Sequence, residues 1–368
     1  MSANEKVLMK GNDAIAEAAI RAGCGAYFGY PITPQNELIA YMAKHMLERK
    51  RVFIQAESEI GAMIMVYGAS CAGMRAMTSS SSPGMSLKQE GLSYAAGADV
   101  PLVVANVCRG GPGLGNIAPA QSDYFQSTRG GGHGDYYCIV LAPKSVQECA
   151  DHTYLAFDLA DKYRMPVIIQ ADGMIGQMVE GLVLPPEKEA PKRDWTVGNM
   201  AASHRPAKHI TSIELVPEKL EAQTKERFAR YEKVKAAEIR YEENNCSDAD
   251  LVMVAYGTCA RICLGAQILA KKEGIKLGIF RPITLWPFPY EVLGKIINRG
   301  KPVLTVEMSH GQLIEDVKLA SFEAFSCDAP SKEPMKKADI HLLGHSGGVI
   351  PTEDEVFARA KEILSRRN

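Results

Sequence analysis

Two carboxylates separated by one serine, Glu57-Ser58-Glu59, stand where a short β-type run (Val52, Phe53, Ile54) gives way to a helix that begins near Ser58. A carboxylate at such a junction can do general acid–base work. It can equally be a helix starter, because a first-turn acid complements the helix dipole and Ser58 can cap the helix through its hydroxyl. Three further junctions share this form. Gly29-Tyr30-Pro31-Ile32-Thr33-Pro34 follows a strand-like run over 26–28 and supplies a hydroxyl at Thr33. Ser79-Ser80-Ser81-Ser82 reads as a loop after a strand at 75–78. Cys108-Arg109-Gly110-Gly111-Pro112-Gly113-Leu114-Gly115-Asn116 follows the apolar run 101–107. Its glycines permit close backbone approach to a ligand, and Arg109 offers a fork suited to a carboxylate or phosphate, unless the loop is merely solvated. A second basic glycine stretch, Arg129-Gly130-Gly131-Gly132-His133-Gly134, carries the same two readings, and its histidine reads as solvent-facing.

The elements that must hold these junctions alternate as in an α/β protein. Helices are expected over Gly11–Gly23, Asn36–Leu47, Ser58–Cys71, Met85–Ala96 and 145–163, with strands at 137–141 and 166–171 completing the first unit. Such alternation implies right-handed crossovers and a parallel sheet with helices on both faces, and open sheets of this kind bind ligands at their carboxyl edge. Five prolines among charges (185, 186, 191, 206, 217) make 184–217 a surface connector. Glu218–Asn244 reads as a charged, solvated linking helix with Leu220, Phe228, Tyr231 and Val234 on a thin stripe. A second α/β unit opens at Leu251 and continues through helix 259–272, strand 276–280, helix 290–299, strand 302–307, helix 311–324, a strand near Ile340 and helix Glu353–Ser365.

The chain has 368 residues, 46% hydrophobic and 23% charged, enough for two cored domains. A net charge of −1 offers no field for nucleic acid or an anionic membrane. No secretory stretch or bilayer-spanning run is evident, so the expected location is cytoplasmic. The nine cysteines include no Cys-x-x-Cys pair, and Cys259 and Cys263 lie four apart in an apolar helical stretch. Neither cluster nor zinc spacing occurs, and any iron–sulfur clusters the protein works with belong to another chain. A Walker loop, a nucleophile elbow and a dinucleotide fingerprint are all missing, which disfavours a Rossmann dehydrogenase.

Taken with Gln55-Ala56-Glu57-Ser58-Glu59-Ile60-Gly61-Ala62 and Arg281-Pro282-Ile283-Thr284-Leu285-Trp286-Pro287-Phe288-Pro289, the Gly29–Pro34 loop resembles the alpha subunit of thiamine-diphosphate-dependent 2-oxoacid:ferredoxin oxidoreductases, most of all the branched-chain (3-methyl-2-oxobutanoate) type. The resemblance covers nearly the whole chain. It implies a pyrimidine-binding domain over 1–185, a linker with a charged helix over 186–247, and a transketolase C-terminal-like domain over 248–368. Glu59 matches the glutamate that hydrogen-bonds N1′ of the aminopyrimidine, with Glu57 as its competitor; this is acid–base work relayed through the cofactor. Tyr30, Pro31 and Ile32 match the cofactor loop, while Thr33 and Arg109 match positions that contact the 2-oxoacid. Ala171-Asp172-Gly173 begins like a diphosphate–magnesium site, with Asn199 at a suitable distance, but its first glycine is replaced and Met200 stands where a second Asn is needed. Asp172 is therefore read as an ordinary strand end. Magnesium and the diphosphate fall to a beta subunit, and iron–sulfur clusters to partner subunits. The implied partners are beta, gamma and ferredoxin-like delta subunits, ferredoxin, coenzyme A and a 2-oxoacid, with homodimerisation inside the complex. Arg281, Glu307 and His310 are assigned structural roles. Other readings are the same chemistry on 2-oxoglutarate, pyruvate or an aryl-pyruvate, a non-catalytic assembly subunit, and a self-sufficient thiamine decarboxylase.

Overall fold

A computed structural model describes residues 5–197, 208–323 and 338–367. The expected Asn199–Met200 position and Cys327 lie outside the described residues. In chain order the first unit comprises β1 (Lys6–Lys10), α1 (Gly11–Arg21), β2 (Ala26–Gly29), α2 (Asn36–Glu48), β3 (Val52–Gln55), α3 (Glu59–Cys71), β4 (Ala76–Ser80), α4 (Ser82–Gly97), β5 (Leu102–Cys108), α5 (Tyr124–Arg129), β6 (Ile139–Leu141), α6 (Val146–Tyr163), β7 (Pro166–Asp172), α7 (Gly173–Gln177) and β8 (Val179–Val183). After α8 (Pro217–Glu238) come β9 (Tyr241–Asn244), β10 (Leu251–Val254), α9 (Gly257–Lys272), β11 (Leu277–Pro282), β12 (Thr284–Trp286), α10 (Tyr290–Ile297), β13 (Val303–Glu307), α11 (Leu313–Glu323), β14 (Ile340–Gly344) and α12 (Glu353–Ser365).

The larger sheet runs β12-β6-β7-β5-β4-β2-β3 and is parallel except for the β12–β6 pair. Its central strands β4, β5 and β7 are buried along their whole length, as strands covered by helices on both faces must be. Because β5, β4, β2 and β3 are neighbours, the four junctions read from the sequence meet along one carboxyl edge. The smaller sheet runs β14-β13-β10-β11-β9.

Four details differ from the sequence reading. Ser79 and Ser80 are buried strand residues, not loop, and Ser82 already belongs to α4. The charged helix stops at Glu238; Tyr241–Asn244 instead forms an antiparallel edge strand on β11, with Glu242 bonded by Arg281 and Tyr241 stacked on Phe280. Nor is α8 wholly solvated, since Tyr231 and Val234 are buried and Tyr231 packs edge-on against a stacked Tyr137–Trp286 pair whose centroids are 4.8 Å apart. Finally, β12 leaves the second unit to complete the first sheet, and β1 pairs with β8, a largely exposed ribbon with no period-two apolar signal. The eight described cysteines are free and buried, Cys259 and Cys263 within the core of the second unit.

Candidate active site

At the head of α3 the two acids part company. Glu57 is exposed, and its carboxylate folds over Gly61, where its Oε1 sits 2.2 Å from the position of an added β-carbon. Ser58 caps the helix, its hydroxyl accepting the Gly61 amide at 3.1 Å. Glu59 turns inward and is only 7% exposed. Its carboxylate accepts no hydrogen bond and forms no ion pair among the described residues; the residue is held through its main-chain carbonyl, which accepts from Lys88. Gly84 on α4 makes room for it: a β-carbon there would lie 2.7 Å from Glu59 Oε1 and 2.1 Å from Ser80 Oγ. Ser80 and Ser81 hydroxyls are buried beside this point without hydrogen-bond partners.

Across β4 the Tyr30–Pro34 loop is held by its carbonyls. Gln35 Nε2 reaches Tyr30 O (3.3 Å), Asn12 Nδ2 reaches Pro34 O (2.8 Å), and Arg109 donates to Thr33 O (2.8 Å). Gln35 is itself fixed by Ser79 on β4 (2.6 Å). Thr33 accepts from Asn36 through its hydroxyl oxygen (3.1 Å) and keeps its own proton free to donate. The side chains of Tyr30 and Ile32 are half-buried, and Pro31 is exposed.

Arg109 is 7% exposed, and its second terminal nitrogen donates to Leu114 O at 2.9 Å, closing the glycine loop. It has no carboxylate partner among the described residues, and its buried Nε–H is unpaired. A buried guanidinium with spare donors is built for an anion. The main chain beneath it is pinned by Ser82, whose hydroxyl accepts from Arg109 N (2.9 Å) and donates to Asp123 (2.6 Å). Thr33 and Arg109 are thus brought into contact. Glu59 makes no hydrogen bond or ion pair with either among the described residues. Lys88, Gln35 and Asn12 were not singled out as site residues from sequence; as lone polar residues they carry no spacing signal.

Elsewhere the buried charges are used internally. Asp172 caps α7 and binds Thr258, taking four hydrogen bonds of 2.7–3.2 Å. Arg281 forks onto Glu148 (2.7 and 2.8 Å) and bonds Glu242. Glu307 caps α11 through the amides of Gln312, Leu313 and Ile314, while His310 is exposed. Arg129 pairs with the buried Asp316 of α11, and His133 is exposed.

The class that this edge defines is confirmed by comparison. Residues 17–243 match the family described as pyruvate flavodoxin/ferredoxin oxidoreductase, thiamine diphosphate-binding, and residues 249–355 match pyruvate:ferredoxin oxidoreductase core domain II. The chain belongs to the 2-oxoacid oxidoreductases and carries their thiamine diphosphate-binding domain. It is 45% identical to the ketoisovalerate oxidoreductase subunit VorB of Methanothermobacter marburgensis, over 98% of this chain and 99% of that one. It is 34% identical to the 2-oxoglutarate synthase subunit KorA of the same organism, over 96% of this chain and 98% of the other. The solved 2-oxoglutarate:ferredoxin oxidoreductase of Magnetococcus marinus, with 2-oxoglutarate, coenzyme A and succinyl-CoA bound, superposes with a TM-score of 0.84 at 28% identity, covering 98% of this chain but 65% of that one. A split-gene transketolase shares the fold alone, at TM-score 0.58 and 13% identity, with 98% of this chain and 99% of that one covered. Among the described residues no helix is long and apolar enough to cross a membrane.

Proposed function

We propose that this chain is the alpha subunit of a branched-chain 2-oxoacid:ferredoxin oxidoreductase, converting a 2-oxoacid such as ketoisovalerate and coenzyme A to acyl-CoA and CO₂ while ferredoxin is reduced. The observation that carries it is the inward-turned Glu59 carboxylate, which accepts no hydrogen bond from the described residues, at the Gly84 recess that it shares with the unpaired Ser80 hydroxyl. That environment fits the aminopyrimidine half of thiamine diphosphate. When bound, this cofactor supplies the electron sink for decarboxylation. Glu59 would accept and return a proton at its carboxylate, and the Tyr30-Pro31-Ile32 loop would bound the ring. Arg109 would clamp the substrate carboxylate through its spare N–H groups, and Thr33 would donate its hydroxyl proton to the same substrate.

The acceptor atoms of Asp172 are engaged within the chain, which supports a beta subunit as the holder of magnesium and the diphosphate. Iron–sulfur clusters are assigned to partner subunits of gamma and delta type, and homodimerisation within the complex is proposed on family grounds. We assign the domains as 1–185, a linker 186–247, and 248–368. The eight free thiols support a reducing, cytoplasmic setting.

The test is viologen reduction by the complex co-purified with its partners, using a panel of 2-oxoacids with and without coenzyme A and thiamine diphosphate. Strong coenzyme A-dependent turnover of ketoisovalerate over 2-oxoglutarate and pyruvate supports the reading. Preference for another acid moves the substrate, and no thiamine-dependent turnover from an intact complex leaves only an assembly subunit.

A further inference from the structure

One buried cation near Glu59 has no role in the foregoing account. Lys88 stands one turn beyond Gly84 on the same face of α4. That face therefore meets the head of α3 twice, with Gly84 giving space to the Glu59 side chain and Lys88 reaching its main chain. Lys88 is fully buried, and its amine donates to Glu59 O (3.2 Å) and to Thr78 Oγ1 on β4 (3.0 Å). It forms no ion pair at contact distance among the described residues.

We propose that Lys88 is a positioning residue of the Glu59 site: its amine, held between Thr78 and the Glu59 carbonyl, fixes the main chain at the head of α3 and sets a buried charge beside the Glu59 side chain. The inference rests on Glu59 being the group that meets the cofactor.

Ionisable side chains on the elements packed most closely against α4 are Glu59, Tyr67 and Cys71 on α3, Cys108 on β5 and Asp172 on β7, while Asp123 and Arg227 bond its two ends; of all these, Glu59 alone acts on the lysine's charge. Burial pulls the Lys88 amine down to about 7, and the nearby Glu59 carboxylate opposes that fall. Near neutrality the amine therefore changes charge readily, and each of its two states presents a different field to Glu59.

The test is calorimetric binding of thiamine diphosphate to the assembled complex across the neutral pH range, for the wild type, Lys88→Met, Glu59→Gln and the double variant. Lys88→Met should weaken binding about tenfold and flatten its dependence on pH around 7, where the wild-type amine changes charge. In the Glu59→Gln background the same change should alter binding less than about twofold. Replacing a buried charge with a methionine of similar length is commonly tolerated, so the variant is expected to assemble. Should it not, Lys88→Gln, which keeps a donor for the Glu59 carbonyl without the charge, gives the same cycle. An unchanged pH dependence, or an effect that persists undiminished in the Glu59→Gln background, overturns the proposal while leaving the Glu59 reading intact. Unchanged binding in Glu59→Gln alone overturns both.

Discussion

The carboxyl edge of the first sheet and the junction between the two units hold similar inventories of buried charge and treat them in opposite ways. At the junction, Asp172, Asp316, Arg281 and Glu307 are all buried and engaged: Asp172 caps α7, Asp316 takes Tyr124, Tyr290 and Arg129, Arg281 forks onto Glu148, and Glu307 caps α11. At the edge, the Ser80 and Ser81 hydroxyls and the Arg109 Nε–H are buried and unpaired, and the Glu59 carboxylate accepts no hydrogen bond from the described residues. Burying an unmet polar group costs free energy that folding alone does not recover, so the second pattern marks groups kept for a ligand. Burial by itself separates nothing; satisfaction does.

The largest break in this comparison is Glu59→Gln. Removing the ionisable group while keeping its shape should lower thiamine-dependent turnover of the complex on the order of 10²–10⁴-fold with the thermal unfolding midpoint preserved. A loss of turnover only in step with lost stability would move Glu59 into the junction class. The converse test is Arg281→Ala. It strands Glu148 beside a cavity and should destabilise the chain by about 3 kcal/mol in denaturant titration, with the KM for the 2-oxoacid unchanged in whatever folds. Arg109→Lys comes next. A lysine keeps the charge but cannot hold Thr33 O, Leu114 O and a carboxylate in one fork, so KM for the 2-oxoacid should rise about tenfold or more, with a smaller change in kcat.

Much of this edge was legible before any coordinates. Each of its four loops follows an apolar run and precedes a helix, and the order of parallel strands then brings them together. The roles of Arg281 and Glu307 were also anticipated as structural, though not their partners, because Glu148 lies 133 residues from Arg281 and no local pattern encodes that fork. The serine run was misread as loop because four hydroxyls in a row lack the β-branched signature; tertiary burial between β2 and β5 overrides that preference. The end of α8 was misread for the opposite reason. Its charged sequence continues without a break, and the helix stops because Tyr241–Asn244 finds an open edge on β11. Lys88 was invisible because a lysine in an amphipathic helix ordinarily faces solvent, and only the position of α3 shows otherwise.

The smallest effect is expected immediately beside the largest, and it sharpens the contrast within a single turn. Ser58 and Glu57 belong to the local machinery of the α3 terminus: the hydroxyl caps the helix, and the exposed acid complements its dipole. Ser58→Ala should therefore cost about 1 kcal/mol of stability by denaturant titration, the ordinary loss of an N-cap. Glu57→Gln should cost less than that, since an exposed first-turn charge contributes only about 0.3–1 kcal/mol and salt screens it. Neither should change turnover by more than about twofold, because the neighbouring Glu59 keeps both its burial and its carboxylate. If Glu57→Gln instead matched the loss expected of Glu59→Gln, the exposed acid would be the catalytic one, and the unmet carboxylate of Glu59 would need another explanation.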